Sequence, residues 1–465
     1  LIQLGIQLET FTGDELKDWE VIEFLEVAPP VEVDFGLLMQ TLQRVLDYTP
    51  LHPLSVELVQ ASLAHVRDIQ AFLIAVFPAA MTIAYSHRQP KLAARIAEIF
   101  LRLETNNLEV LRQLAFFYQN AGEYEQGIAT PRLSYSLSQE LPDKIFANYQ
   151  IIRGLMGAGG YWEEALSACQ QQESLLLSLI EAQPTTLTHL QVLRLFSTNY
   201  FAPYVQDKPQ TNKPLQNQLA QLCQTNLQIC SQERVEQYRA SNVQRRESGT
   251  PSKPIKIGYI SHCLRQHSVG WLARWVLQHH DRERFEINGY FLNHKRTGEA
   301  LQEWYISQVS MAYFSVEGWE IAEQIYKDEI DILIDLDSIT LDSSCDVMAL
   351  KPAPVQVTWL GWDASGIPAV DYFIADPYVL PESAQDYYTE KIWRLPQTYI
   401  AVDGFEVGVP TLRRDMLDIP GDAVVYLSSQ SGYKRHVDTA RLQMKILKEV
   451  PNSYFLIKGK ANEES

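Results

Sequence analysis

The sequence predicts an α + α/β protein, in which N-terminal helical repeats precede a doubly wound lobe and the beginning of a second one. Apolar residues follow a helical spacing from Leu1 to about Tyr238. The chain then becomes polar, charged and Pro-bearing from Arg245 to Lys256, which marks the main domain boundary. Beyond it, short β-branched runs alternate with helical runs. This alternation is typical of right-handed crossovers and a parallel sheet.

Length and composition favour a globular protein of two or three domains, because 465 residues exceed the size of one ordinary core. The formal charge of -18 makes the average surface repel phosphate backbones and anionic membranes. We therefore expect no nucleic acid and no membrane as partner, although a local cationic site could still bind a nucleotide.

The cysteines and the apolar runs predict a cytoplasmic setting. The five cysteines are scattered and lack the paired spacing of a zinc site. No run approaches the ~18 uncharged apolar residues of a membrane span, and no signal segment opens the chain. The chain begins at Leu1 rather than Met, so we expect that its true N-terminus is missing.

The helical part divides into two predicted regions, residues 1–90 and 91–245. The first has helical spacing but matches no known repeat, and Pro78 interrupts its Ala- and Ile-rich stretch. The second resembles tetratricopeptide repeats, in which a glycine closes a tight turn and small residues let two helices approach. Two copies carry the pattern: Leu114, Ala115, Tyr118, Gly122, Tyr124 and Gly127 form the first, and Gly160, Trp162 and Ala165 form the second. The copies are offset by 38 residues, so we expect an insertion near Pro131 or Pro142. Ordinary helical hairpins are the alternative.

The α/β part divides into residues 254–410 and 411–465. Strands are predicted at Ile255–Ser261, Phe285–Leu292, Met311–Val316, Ile330–Leu336, Val355–Leu360 and Tyr372–Ala375, with helices at Val269–Leu277 and Trp319–Lys327. The final region predicts a strand at Ala423–Ser428, a helix from about Asp438 to Val450 and a strand at Ser453–Lys458. These cannot cover both faces of a sheet, so we expect the opening of a second lobe whose remainder is absent.

Two residues stand out as candidates because each lies between a predicted strand and a predicted helix. His267 follows the first strand, where a neutral imidazole could accept a hydroxyl proton or hydrogen-bond a sugar. Lys434 precedes the last helix, where its charge and the helix N-terminus would act together on a diphosphate leaving group. The alternatives are a surface histidine and a solvated basic turn.

Asp335-Leu-Asp337 resembles the DxD signature that holds a metal and a donor diphosphate in some glycosyltransferases. It ends a strongly apolar strand, where aspartates often cap the following turn. No other His/Asp/Glu cluster in the sequence supports a metal, and we predict none. In Lys351–Gly366, a rigid Pro-x-Pro segment is predicted to lead into a buried strand, which a loop of small residues follows.

These segments resemble the O-GlcNAc transferase/SPINDLY family from about Ile255 to the end, and more loosely near Leu111–Cys169. The sharpest match is Lys351–Gly361, similar to the family's RPAPIQ…WLGYPGTSG stretch, and Asp371–Asp376, Tyr388–Lys391 and Leu395-Pro396 extend it in order. The resemblance implies helical repeats ahead of a GT-B-type, Rossmann-like catalytic lobe and a donor-binding lobe.

The resemblance also implies roles for individual residues. His267 matches the family's loop histidine beside the sugar, proposed as a base. Gln430 and Lys434 resemble the Gln and Lys that touch the donor diphosphate, and the family's transfer is thought to be metal-free and inverting. Ser268 follows the histidine where O-GlcNAc transferases usually have Pro, and it looks more like the SPINDLY branch. The Gln430–Lys434 spacing is one residue longer than in O-GlcNAc transferases, and the loops Asp337–Thr340 and Gly361–Gly366 differ from those of the family.

The resulting functional prediction is a glycosyltransferase that moves GlcNAc from UDP-GlcNAc to Ser/Thr hydroxyls of acceptor proteins held by the repeats. A fucosyltransferase that uses GDP-fucose is an alternative within enzymes. A non-catalytic repeat scaffold is the alternative outside them, favoured by the altered loops and opposed by His267 and Lys434. Because residues 1–465 end inside the donor lobe, we expect them to turn over poorly by themselves.

Overall fold

The computed structural model describes residues 2–7, 9–30, 33–247, 254–293, 296–404 and 407–458. The α-helices are α1 Ile2–Gln7, α2 Glu15–Asp18, α3 Val21–Val27, α4 Phe35–Tyr48, α5 Pro53–Ser62, α6 Ile69–Tyr85, α7 Pro90–Leu101, α8 Leu108–Ala121, α9 Tyr124–Leu137, α10 Leu141–Ala158, α11 Trp162–Ala182, α12 His189–Phe196, α13 Ala202–Val205, α14 Pro209–Cys230, α15 Gln232–Glu247, α16 Ser268–Gln278, α17 Ala300–Gln308, α18 Gly318–Lys327, α19 Asp342–Leu350 and α20 Val437–Glu449. The strands are β1 Ile255–Ser261, β2 Phe285–Leu292, β3 Met311–Ser315, β4 Ile332–Asp335, β5 Val355–Thr358, β6 Tyr372–Ala375, β7 Lys391–Arg394, β8 Val424–Ser428 and β9 Ser453–Ile457.

The chain forms two compact units. The first comprises Leu1–Ala168 together with Val424–Ser465, and the second comprises Cys169–Ala423. The predicted α + α/β fold class is confirmed, with a helical N-terminal part and parallel sheets. Half of the polar segment predicted as the main boundary, residues 248–253, lies outside the described residues.

A parallel seven-stranded sheet forms the centre of the second unit. Its strand order is β3-β2-β1-β4-β5-β6-β7. The order reverses between β1 and β4, because the chain adds β2 and β3 on one side of β1 and β4 to β7 on the other. In open α/β sheets, ligands bind at such a switch point, outside the carboxyl ends of the strands.

The predicted strands of this sheet are present with ends shifted by a few residues, and three elements were missed. β1 is buried over its last five residues, as expected for a strand covered on both faces. The missed elements are α17, α19 and β7. Helix α19 escaped prediction because seven of its nine residues are buried, so that it lacks a periodic polar face.

Helices α12 to α15 pack within the second unit, against the α/β part. Gln228 of α14 donates from Nε2 to the carbonyl oxygen of Ala349 at 3.0 Å, and Asn242 of α15 donates to that of Lys351 at 2.9 Å. Arg245 forms an ion pair with Asp331 at 2.5 Å. These helices therefore belong to the support of the sheet.

The helical first unit tolerates two prolines inside its helices. Helix α6 continues through Pro78, contrary to the predicted interruption. The carbonyl that loses its helical partner there belongs to Ile74, a residue exposed on the helix surface. In α9, Pro131 frees the carbonyl of Gly127, which accepts a hydrogen bond from Nε2 of Gln119 at 2.7 Å.

Paired helices α8/α9 and α10/α11 coincide with the two predicted repeat copies. Gly122 ends α8 in the left-handed region at φ 81°, which closes the tight turn. A Cβ on Gly127 would lie 2.8 Å from Cγ of Gln119, so a glycine permits the close helix approach. Helix α10 has 18 residues against 14 in α8, and these four residues account for the longer offset.

The C-terminal part of the first unit has a short parallel sheet. β8 pairs with β9 in register from Val424 with Ser453 to Ser428 with Ile457, and α20 connects them. The predicted strand, helix and strand are thus confirmed. Among the helices that the structure describes, none has the length and apolarity to cross a membrane.

Gly361 gives a direct test of the packing at the switch point. A Cβ at this position would lie 1.9 Å from the carbonyl oxygen of Leu336. We expect Gly361→Ala to lower the free energy of unfolding by about 2–3 kcal/mol, because backbone must shift to admit the methyl group. Urea unfolding of the variant would measure this.

The matched control is Gly408→Ala, where no atom lies within 4 Å of the added Cβ and φ is not positive. A Gly361→Ala protein as stable as this control would show that the approach of residue 361 to β4 is not a constraint.

Candidate functional site

The candidate site lies at the switch point, where the loops that follow β1 and β4 meet. The first loop begins at His262 and reaches α16 at Ser268. The second contains Asp337 and a 3-10 turn at Ser338–Thr340. The residues 262 and 337 are separated by 75 positions in the chain, and only the sheet order brings them together.

Asp337 connects the two loops through its buried carboxylate. Its Oδ1 accepts from Oγ of Ser261 at 2.6 Å, and Oδ2 accepts from the backbone N–H of His262 at 2.8 Å. The imidazole of His262 adds a third contact, with Nδ1 at 2.9 Å from Oδ2. Burial alone would raise the pKa of Asp337, but the contacts with His262 and Ser261 hold this pKa below its ordinary value.

Asp335 acts as the cap that the sequence predicted. Its Oδ1 accepts from the N–H of Asp337 at 2.9 Å and from Oγ of Ser344 at 2.5 Å, and Oδ2 accepts from the N–H of Ser338 at 2.9 Å. Its carboxylate is buried, and burial together with the charge of Asp337 raises the pKa of Asp335. All these bonds shape the turn after β4.

His262 is half-buried and has an elevated pKa. Burial lowers this pKa, but the charge and hydrogen bond of Asp337 overcome that effect and raise it above the ordinary value. A carboxylate that accepts from Nδ1–H also fixes the ring orientation and leaves Nε2 as the basic nitrogen. The side chain retains 26% of its accessible surface, and Nε2 lies 3.4 Å from Sγ of Cys263.

His267 caps the N-terminus of α16. Its Nδ1 accepts from the N–H of Val269 at 3.3 Å, which requires that the proton of the neutral ring is on Nε2. Burial lowers the pKa of His267, and the positive charge of His262 acts in the same direction. The ring is therefore neutral at pH 7, and it presents a donor. Its centroid is 5.9 Å from that of His262.

His262, Cys263 and Asp337 offer one potential metal ligand each, and these three atoms lie within 4.8 Å of one another. Both Asp337 oxygens, however, already accept hydrogen bonds from this chain. Burial also raises the pKa of the Cys263 thiol, which favours its protonated form. The donor set is therefore better described as a hydrogen-bonded group than as a metal centre.

The loop after β5 adds a constrained wall beside β4. Leu360 has φ 82°, and the N–H of Gly361 closes a three-residue turn onto the carbonyl of Trp359 at 3.1 Å. Such backbone strain in a residue other than glycine is often found at functional sites. Oγ of Ser338 donates to the carbonyl of Asp363 at 2.7 Å, so this loop and the β4 loop are joined.

Buried polar groups hold the rest of this loop in place. Nζ of Lys213 donates to the carbonyl of Ala364 at 2.5 Å and lies 3.4 Å from Asp363. Glu390 is fully buried and accepts from the N–H of Gly366 at 2.7 Å. A cavity next to the loop is lined in part by Trp362, Asp363, Phe373, Tyr388 and Tyr399. The loop departs from the family pattern in sequence, but it is rigidly supported.

The donor-binding candidates Gln430 and Lys434 lie in the first unit, whereas His267 lies in the second. Gln430 and Lys434 are exposed, and Lys434 ends a 3-10 turn at Gly432–Lys434 just before α20. Arg435 donates to the carbonyl oxygens of Gln430 at 3.2 Å and Lys458 at 2.9 Å, which ties the turn to the end of β9. Lys434 thus precedes a helix N-terminus, as the sequence predicts.

Comparison with known proteins finds a family match within the second unit. A model described as glycosyl transferase family 41 matches residues 203–409, a segment that contains β1 to β7, both site histidines and both aspartates. The predicted resemblance to the O-GlcNAc transferase/SPINDLY family is thereby confirmed for this segment.

Relatives in plants and a nematode agree with this family. Two Arabidopsis thaliana proteins named probable UDP-N-acetylglucosamine–peptide N-acetylglucosaminyltransferase align at 29% identity over 45% of this chain: SPINDLY, over 23% of its length, and SEC, over 22%. A Caenorhabditis elegans UDP-N-acetylglucosamine–peptide N-acetylglucosaminyltransferase is 31% identical over 32% of this chain and 13% of its own. The aligned part therefore spans less than a quarter of each relative.

A solved structure supports the fold independently. The O-GlcNAc transferase of Thermobaculum terrenum, determined as a point variant, superimposes with a TM-score of 0.58 at 21% identity. The match covers 84% of this chain and 70% of that one. At this identity the similarity shows the shared fold.

The sequence-based prediction missed His262 and the role of Asp337. A usable signal existed, since His262 and Asp337 each directly follow a predicted strand. It could not be used without the strand order, because any two of six predicted strands could have been neighbours.

The capping role of Asp335 predicts a loss of stability on its removal. We expect Asp335→Ala to lower the free energy of unfolding by about 3 kcal/mol, because the N–H groups of Asp337 and Ser338 lose their buried acceptor. Chemical denaturation would measure this loss of stability, and Asp403→Ala, which removes an exposed carboxylate, is the control. The capping role would be contradicted if Asp335→Ala kept the parent's stability. A DxD metal site would be favoured if manganese stabilised the parent but no longer stabilised this variant.

Proposed function

We propose that the complete protein is a glycosyltransferase that moves GlcNAc from UDP-GlcNAc to Ser/Thr hydroxyls of acceptor proteins. The observation that carries the proposal is the coincidence of the family 41 match with a switch-point site that contains two histidines and a buried carboxylate. Relatives that align with part of this chain bear names of UDP-N-acetylglucosamine–peptide transferases.

In this proposal His267 contacts the substrates directly. Its neutral ring and Nε2–H suit it to donate a hydrogen bond to a sugar or acceptor oxygen. Asp335 and Asp337 have structural partners for their oxygens, which supports a transfer without a DxD-bound metal. We further propose inversion at the anomeric carbon, the stereochemistry that the family resemblance implies.

Donor binding is proposed for Gln430 and Lys434. The Lys434 ammonium and the N–H groups at the start of α20 are suited to neutralise the diphosphate as the glycosidic bond breaks. The helices of the first unit are proposed to bind acceptor proteins. Ser268 is the specific observation that favours GDP-fucose as a second candidate donor, because it follows His267 where the SPINDLY branch has the same residue.

The role of Lys434 predicts selective loss of nucleotide binding. Calorimetric titration of the complete protein with UDP, GDP, UDP-GlcNAc and GDP-fucose should show a preference for the uridine compounds. Lys434→Ala should weaken this binding about tenfold to a hundredfold, as expected for one charge-assisted hydrogen bond. Lys445→Ala is the control, since it removes an exposed lysine from the body of the same helix.

A preference for guanosine nucleotides would replace GlcNAc transfer with fucosyl transfer. The absence of binding to any of the four compounds would contradict the enzymatic proposal and leave the repeat scaffold. Equal loss in both lysine variants would remove Lys434 from the donor site.

A further inference from the structure

We propose that His262, oriented by Asp337, is the group that takes the proton from the acceptor hydroxyl, and that His267 donates a hydrogen bond beside it. The inference rests on the proposed glycosyl transfer and assigns the proton acceptor within that site. It concerns a residue that the sequence pattern does not single out.

Asp337 holds His262 in the geometry of an oriented base. Nδ1 of His262 lies 2.9 Å from Oδ2 of Asp337, and the same oxygen accepts the backbone N–H of His262 at 2.8 Å. The carboxylate therefore holds both the backbone and the ring of one residue. With its proton on Nδ1, the imidazole exposes a basic Nε2, which is the arrangement that a general base requires.

His267 is in a different protonation state from His262. Its Nδ1 accepts from the N–H of Val269, so that Nε2 of the neutral ring carries a proton and cannot accept another. The ring centroids of the two histidines are 5.9 Å apart. In the proposal one acceptor hydroxyl oxygen lies between these neighbouring rings, where it accepts from His267 and donates to His262.

The charges around His262 also favour a role in proton transfer. The groups that face its ring are the carboxylates of Asp337 and Asp335, the guanidinium of Arg265, the imidazole of His267 and the thiol of Cys263. Asp337 and Asp335 stabilise the imidazolium, whereas Arg265 and burial oppose it. The thiol of Cys263, 3.4 Å from Nε2, is a weak partner that a hydroxyl can replace.

The proposed step is balanced within the site. The acceptor O–H proton passes to Nε2 of His262, and the oxygen forms a bond to the anomeric carbon of the sugar. The bond from that carbon to the diphosphate oxygen breaks, and its electron pair leaves with the nucleoside diphosphate. The imidazolium, stabilised by Asp337, then releases its proton to solvent.

The test compares His262→Asn with the parent in a transfer assay with UDP-GlcNAc and an acceptor peptide, and both are made in the complete protein. The Asn amide can still donate to Asp337 but cannot take a proton. We expect kcat to fall about 100-fold or more while the KM for the donor stays within about threefold. The control is His279→Asn, which removes an exposed histidine paired with Asp403 and should leave the rate unchanged.

The pH profile separates a base from a structural residue. In the parent, kcat/KM should rise with pH as His262 loses its proton. Asp337→Asn removes the charge that raises the pKa of His262, so this limb should move to lower pH. A His262→Asn protein with the parent's rate and profile would overturn the inference while transfer itself stands.

Two other outcomes are also decisive. No transfer by the parent with any nucleotide sugar would refute the proposed function together with this step. Loss of activity on treatment with a chelator, restored by zinc alone, would overturn the base assignment, because His262 and Asp337 would then be metal ligands.

Discussion

The buried carboxylate of Asp337 is the constraint on which the second unit's site depends. It accepts three hydrogen bonds from residues at the end of β1, and one of these comes from the His262 ring. A buried anion is costly unless it is paired and hydrogen-bonded. The β1 loop must therefore fold back onto the β4 loop, and this requirement fixes the position of His262.

Other features of the unit support this contact. Asp335 shapes the turn that carries Asp337, and Gly361 allows the β5 loop to approach the backbone of Leu336. Helix α14 supports the same β5 loop through Lys213. The family 41 match begins at residue 203, which includes this helix. The helices before the sheet are thus part of the platform that positions the site.

The sequence predicted the fold class, most strands and the local chemistry, because these depend on short-range patterns. The cap formed by Asp335, the helix after His267 and the turn before α20 are of this kind. Helix α19 and the pair His262–Asp337 could not be predicted. The first is buried on all sides and lacks periodicity, and the second depends on sheet order across 75 residues. The interruption predicted at Pro78 was wrong for a related reason, since tertiary packing maintains α6 despite the lost hydrogen bond.

Nitrogen-15 NMR of His262 and His267 as a function of pH tests the role of Asp337 most directly. The account predicts that neutral His262 carries its proton on Nδ1 and titrates above the ordinary histidine range. It also predicts that His267 carries its proton on Nε2 and titrates below that range. The reverse order of titration, or an Nε2 proton on neutral His262, would contradict the central role of Asp337.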